Sequence, residues 1–199
     1  MDALRTLADA LSGLPGIGRR SAERIATYLA RHPDDRAAPL LSALTEARAQ
    51  LTACSICGSV TTRTQNPCAL CSSSTRNPAL LCIVEDPADI PLLERSGAFN
   101  GRYFSLMGKL SPMRGQGLSD LRFDALKKLV AAANVTEVLL ALNADVESDA
   151  TASFLRYELL RLFPRLRISR LAWGLPAGSA IAYSDPVTLG RAIKGRTAL

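Results

Sequence analysis

Four cysteines stand in the order Cys54-x2-Cys57-x10-Cys68-x2-Cys71. Each C-x2-C turn aims two thiolates at one point, and two such turns complete a closed tetrahedral zinc site. A closed site leaves no coordination position for water, so one structural Zn²⁺ per chain is expected. The stretch between the knuckles, Gly58 to Pro67, is mostly polar and cannot build a core, so metal must supply much of the local folding free energy. A redox dithiol is the alternative reading of the same spacing. Cys82, inside the apolar run Leu80–Val84, is expected to be a buried strand residue and not a ligand. A second group is acidic: Glu85, Asp145, Glu147 and Asp149 offer the oxygens that a hard cation such as Mg²⁺ takes. The same acids could instead face water or cap a helix, and Asp149, just before Ala150, has the position of a cap. A third group is basic. Arg19, Arg20 and Arg24 follow the turn Leu14-Pro15-Gly16-Ile17-Gly18, where the chemistry on offer is the gripping of phosphate. His32 is the only histidine, so a His-rich metal site or a Ser-His or Cys-His pair would have to be built around this one residue.

These groups need elements to hold them. Leu4, Leu7, Ala8 and Leu11 recur at helical spacing, which predicts a helix from Asp2 to about Ser12, closed by Gly13. Ser21 to Arg31 resumes the pattern through Ala22, Ile25, Ala26 and Leu29. Gly16 and Gly18 suit positive φ or the close approach of another backbone. The free N–H groups at the second helix's start suit a phosphate oxygen. An ordinary tight link between two packed helices is the plainer alternative. After the cysteines, short apolar runs alternate with helical stretches. Strands are expected at Leu80–Val84, Arg102–Met107, Glu137–Leu142 and Ile168–Trp173, with helices at about 88–96, 120–133 and 150–162. That alternation predicts an α/β fold with a mainly parallel sheet flanked by helices, whose crevice lies at the carboxyl ends of the strands. Glu85 ends one strand there, and the acids at 145–149 follow another.

The whole chain, 199 residues with 48% apolar and 21% charged side chains, has enough material for a packed core and no disordered-type excess of charge. No run approaches a membrane span, and the first residues lack a basic, then apolar leader, so a cytoplasmic protein with reduced thiols is expected. The formal charge is +6, and eight basic against two acidic residues fall after residue 155. Residues 1–53, which hold the glycine turn, carry seven Arg against six acids. Net charge therefore points to a polyanionic partner class without locating its surface.

The Leu-Pro-Gly-Ile-Gly turn resembles the helix-hairpin-helix motif, which grips DNA through its backbone without reading bases. The strand-end acids resemble the Toprim arrangement of type IA and II topoisomerases, bacterial primases and related nucleases. The full order resembles the RecR family of bacterial recombination mediators: helical hairpin (1–53), four-cysteine zinc finger (54–79), Toprim domain (80–174) and a C-terminal segment (175–199). Further stretches extend it, among them Val84-Glu85-Asp86-Pro87, Leu110-Ser111-Pro112 and Gly174-Leu175-Pro176.

That resemblance implies a non-catalytic DNA-repair clamp of several subunits, a tetramer or dimer, acting with RecO and RecF to load RecA on single-stranded gaps. It implies DNA, single- or double-stranded and without sequence preference, as partner of Gly16, Gly18, Arg19, Arg20 and Arg24. It also implies zinc on Cys54, Cys57, Cys68 and Cys71, Glu147 as a contact for RecO, and a nucleoid-associated location. Departures are visible. Relatives usually carry Pro where Arg19 stands and Gly where Ser148 stands, and a residue of unusual φ at 148 is in question. Relatives have acids at Ala180 and Ala182, in a stretch likened to a Walker B motif, so ATP binding is not expected here. The competing reading is a Mg²⁺-dependent Toprim nuclease using Glu85, Asp145, Glu147 and Asp149, since a nuclease needs only water and metal.

Overall fold

The computed structural model describes residues 2–197. The chain divides into two compact units, residues 1–52 with 62–64, and residues 53–61 with 65–199.

In the first unit, α1 (Asp2–Ser12) and α2 (Arg19–Arg31) form a hairpin. They bury Ala8, Ala22, Ala26 and Leu29, and the three alanines among these let the helices approach closely. The turn is closed by Leu14 N–H to the Leu11 carbonyl at 3.1 Å and Ile17 N–H to the Leu14 carbonyl at 3.1 Å. Gly16 takes φ +78°, the left-handed value that costs glycine nothing. Gly18 does not share that need: it is extended (φ −75°, ψ 162°) and is the N-cap of α2. A one-turn π-helix at Pro33–Ala37 leads into α3 (Ala38–Gln50), a helix with no buried residue and with Leu40, Leu41 and Leu44 exposed. Nothing in the periodicity of residues 33–53 had marked this helix.

Short strands β1 (Leu51–Ala53) and β2 (Val60–Thr62) pair as a two-stranded sheet. In the second unit, the single-turn α4 (Ala69–Ser72) carries the second knuckle. Four parallel strands then build the main sheet: β3 (Asn77–Val84), β4 (Gly101–Ser105), β5 (Glu137–Leu140) and β6 (Arg167–Arg170). Their order is β4-β3-β5-β6, with Ile83 opposite Phe104 and Leu140, and Val138 opposite Ile168. Helices α5 (Ile90–Arg95), α6 (Phe123–Ala132) and α7 (Val146–Leu162) connect them, and α8 (Pro186–Lys194) follows. This is the expected α/β architecture.

Several boundaries differ from the sequence expectation for local reasons. β4 stops at Ser105 because Met107 and Gly108 both take positive φ, 61° and 150°. β6 stops at Arg170 because the next residues leave the sheet to stack Trp173 against Arg170 and Arg191. Helix α7 begins at Val146, four residues before the predicted start. Its N-cap is Asp145, whose carboxylate accepts from the Ser148 N–H at 2.9 Å, so Asp149 lies inside the first turn and is not the cap. Ser148 itself is an ordinary helical residue with no unusual φ.

The core lies between the sheet and its helices. Leu81, Ile83, Phe104, Val138, Leu126, Leu155 and Leu159 are all almost fully buried, each contributing about 1.5–3 kcal/mol over exposure. A second cluster on the sheet joins Cys82, Val84, Ile90 and Tyr103 to all four cysteines of the knuckles.

Candidate functional site

Each C-x2-C turn is a backbone device. Gly58 N–H donates to the Cys54 carbonyl at 3.0 Å, and Gly58 takes φ +84°; Cys71 N–H donates to the Cys68 carbonyl at 3.0 Å. Backbone amides also point at sulfur: Ser59 N–H reaches Cys57 Sγ at 3.4 Å, and Cys68 N–H reaches Cys54 Sγ at 3.3 Å. All four Sγ atoms lie within 4.8 Å of one another and all four residues are buried. Such amides favour thiolate over thiol. A hydrogen bond from Cys71, then the Ser59 amide, holds Cys57 down to about 5 against its burial. The bond with Cys57 and burial push Cys71 upward, and burial does the same to Cys68. The donor set, four buried sulfurs around one point with amides as support, fits a tetrahedral soft-to-borderline metal ion. Cys82 stands apart from that set, buried, its thiol pushed up to about 12 by burial.

The knuckles are not an appendage. Ser105 N–H donates to the Cys57 carbonyl at 2.8 Å. Arg122 donates to the Ile56 carbonyl at 3.0 Å and to the Ser105 carbonyl at 3.2 Å, with its guanidinium 4.6 Å from the Phe104 ring centre. Ser105 Oγ, fully buried, donates to the Glu85 carbonyl at 3.1 Å. Sequence reasoning missed Arg122 and Ser105, and neither stands in a motif that could have flagged it.

The four strand-end acids are separated into three settings. Glu85, 6% exposed, accepts from the Asn143 N–H at 3.1 Å and from its Nδ2 at 2.8 Å. Asp145 Oδ2 and Glu147 Oε2 lie 2.6 and 3.4 Å from Lys109 Nζ, and Glu147 also accepts from the Ser111 hydroxyl. Asp149 spans Arg170 at 2.9 Å and Arg191 at 3.5 Å. Lys109 beside Asp145, helped by the Ser148 amide, lowers that carboxyl to about 2, and the same contact raises the lysine. Among the described residues, the cysteines are the one group of His, Cys, Asp and Glu gathered at metal-ligand range. Lys109 was not singled out from sequence, although it stands in the loop after a strand's carboxyl end, where site residues collect.

In the hairpin, no side chain caps α2, and Gly18 offers only its carbonyl, to Ala22 N–H at 2.9 Å. A Cβ at Gly16 or Gly18 would meet nothing within 4 Å, so the surface above the turn is open. Arg19, Arg20 and Arg24 are exposed. Arg19 pairs with Glu23 at 3.5 Å, whereas Arg20 and Arg24 have no ion pair among the described residues. The family sequence profile described as "RecR, helix-hairpin-helix" matches residues 4–48, a Toprim domain profile matches 79–172, and "RecR, C-terminal" matches 174–197. Recombination protein RecR of Bifidobacterium longum strain DJO10A is 41% identical over 194 residues, covering 98% of this chain and 95% of that protein.

The chain belongs to the RecR family.

Its likeness to other members is as even. RecR of Bifidobacterium adolescentis is 40% identical over 197 residues, covering 99% of this chain and 96% of that one. RecR of Legionella pneumophila strain Philadelphia 1 is 40% identical over 199 residues, with 100% and 98% covered. Within the RecR frame the N-terminal match falls on the hairpin and the Toprim match on the four-stranded sheet. The cysteines lie between the two matches. No described helix is long and apolar enough to cross a membrane.

Proposed function

We propose that this chain is a DNA-binding recombination mediator of recombinational repair that performs no chemistry on its DNA. The carrying observation is the start of α2. There an uncapped helix end, an open glycine turn and two cations without ion partners among the described residues, Arg20 and Arg24, share exposed surface. Free N–H groups and arginines at the positive end of a helix dipole destabilise each other unless an anion sits among them. A phosphate backbone supplies that anion at every nucleotide, and phosphate contacts carry no sequence information. Gly16, Gly18 and Arg19 complete the surface, with Arg19 partly neutralised by Glu23.

The remaining assignments follow the family. Residues 1–53 hold DNA, and residues 54–79 hold one structural zinc on Cys54, Cys57, Cys68 and Cys71. Residues 80–174 form the Toprim domain, with Glu147 facing RecO, and residues 175–199 contribute to subunit assembly. The chain works as a homotetramer or dimer with RecO and RecF, loads RecA on single-stranded gaps, and resides in the cytoplasm at the nucleoid. The absence of catalysis is supported by the partners of the four acids: Glu85 is held by the neutral amides of Asn143, and Asp145, Glu147 and Asp149 by the cations Lys109, Arg170 and Arg191.

DNA affinity at two salt concentrations, on two unrelated sequences, tests the reading. Affinity should fall by a slope of about 0.9 per phosphate neutralised, and Arg20→Ala and Arg24→Ala should each weaken both sequences equally and flatten the slope by about 1. Unchanged binding in both variants would remove the hairpin from the mechanism. Mg²⁺-dependent nicking of supercoiled DNA, abolished by Glu85→Ala, would instead establish the nuclease.

A further inference from the structure

The Toprim likeness raises the expectation of a divalent cation at the strand-end acids, and the residues around Asp145 and Glu147 do not fit one. Lys109 Nζ lies 2.6 Å from Asp145 Oδ2, 3.4 Å from Glu147 Oε2 and 3.4 Å from Ser148 Oγ. Three oxygens from three residues thus surround a single ammonium. The lysine side chain is only 19% exposed, less than either acid it serves. Its neighbours are fixed to the same helix: Leu110 N–H donates to Thr151 Oγ1 at 2.9 Å, and the Ser111 hydroxyl donates to Glu147. Gly108 N–H donates to the Glu85 carbonyl at 3.0 Å, so the loop is anchored at both ends of the crevice.

We propose that the Lys109 ammonium is the built-in cation of this crevice, occupying the position between Asp145 and Glu147 that would otherwise take a divalent metal. A hard divalent ion needs carboxylate oxygens drawn in to about 2.0–2.6 Å and keeps its own waters. It would have to displace an ammonium already tied to three oxygens, or sit beside it and repel it. The neighbouring acids give no alternative seat among the described residues, because Glu85, Asp145, Glu147 and Asp149 are not gathered at metal-ligand range and Asp149 is held by two arginines. The lysine therefore does part of what a metal would do: its single charge bridges two acids at the start of α7, offsetting half of their combined charge, and pins the loop after β4 to that helix. Because it is covalently part of the chain, the arrangement holds without regard to Mg²⁺ concentration. This inference is independent of the hairpin's DNA contacts, and either can fail without the other.

The test is Mn²⁺ binding followed by electron paramagnetic resonance, with thermal unfolding in parallel, on the full chain carrying its structural metal. Lys109→Met should bind Mn²⁺ at least ten-fold more tightly than the unaltered protein. Lys109→Arg should not gain affinity, and Lys109→Met with Asp145→Asn and Glu147→Gln should lose the gain. The melting temperature of Lys109→Met should drop without metal and recover part of the loss with Mn²⁺. Equal Mn²⁺ affinity in the unaltered protein and Lys109→Met, competed by Asp145→Asn, would overturn the proposal. So would a folded Lys109→Met that gains nothing. Should the methionine variant aggregate, Lys109→Gln carries the same comparison.

Discussion

The two glycines of the hairpin turn look alike in sequence and differ in what they do. Gly16 is required by its left-handed φ, and Gly18 is not, since its backbone is extended and a Cβ there meets nothing. Gly16→Ala should therefore cost about 1–2 kcal/mol of stability, read as a lower denaturant midpoint with unchanged slope. Gly18→Ala should leave the midpoint within about 0.5 kcal/mol but weaken DNA binding, because the added methyl keeps the phosphate backbone off the helix end. A second pair shows the same logic in the knuckle. At Gly58 the positive φ coincides with the tips of the Arg122 and Met107 side chains, which a Cβ would have to push aside. Gly58→Ala should lower the thermal midpoint more than Gly16→Ala, since it displaces Arg122 from two carbonyls as well as straining the turn.

Elements were legible in sequence where their own pattern sets them and illegible where a neighbour does. The hairpin helices and the middle of every sheet strand follow from apolar spacing. The end of β4 depends on two residues of positive φ, and the end of β6 on Trp173 meeting Arg170 and Arg191. Neither cause has a periodic signature. The same holds for α7, whose start is set by Asp145 as cap within the Lys109 network. Helices α3 and α8 were not anticipated; α3 buries nothing, so no apolar stripe betrays it. Of the candidate site, the cysteines could be read from spacing alone, while the partners of the acids lie 36 to 58 residues away from them or belong to other strands. Helix α8 offers a pH test. Asp185 caps it, accepting from the Val187 and Thr188 amides at 2.9 and 3.0 Å and from the Thr188 hydroxyl. The hydroxyl, then the amides, hold this carboxyl below its usual value of 3.8. A depressed native pKa means the cap is fully in force above the unfolded value and fades as pH falls below it. Amide exchange across 187–190, corrected for intrinsic rates, should accelerate as pH drops from about 5 toward 3. Asp185→Ala should show that faster exchange at every pH.

At the scale of the whole chain, the +6 charge and the sheet meet in one place. The basic excess follows residue 155, which includes β6 and α8, whereas the proposed phosphate contacts lie in a segment of nearly balanced charge. Placement beside helix N–H groups, not total charge, singles out the hairpin. Metal removal should also be felt beyond the knuckles, because the cysteines share a buried cluster with Cys82, Val84 and Tyr103. Chelation should release about one metal per chain and raise hydrogen exchange in β3 and β4, not in residues 54–72 alone. The sheet order adds a colloidal consequence. A parallel sheet has two rims, and an uncovered rim is a template for recruiting strands from other molecules. The β6 rim carries Arg167 and Arg170, and each is paired within the chain, Arg167 with Glu137 at 3.2 Å and Arg170 with Asp149 at 2.9 Å. On the β4 rim, which carries one arginine, Arg102, the Ser105 amide is occupied by the Cys57 carbonyl and the Gly101 carbonyl by Arg76. The cysteine knuckle thereby covers one end of that edge, and removing any metal it holds should make the protein scatter light before the sheet itself has melted.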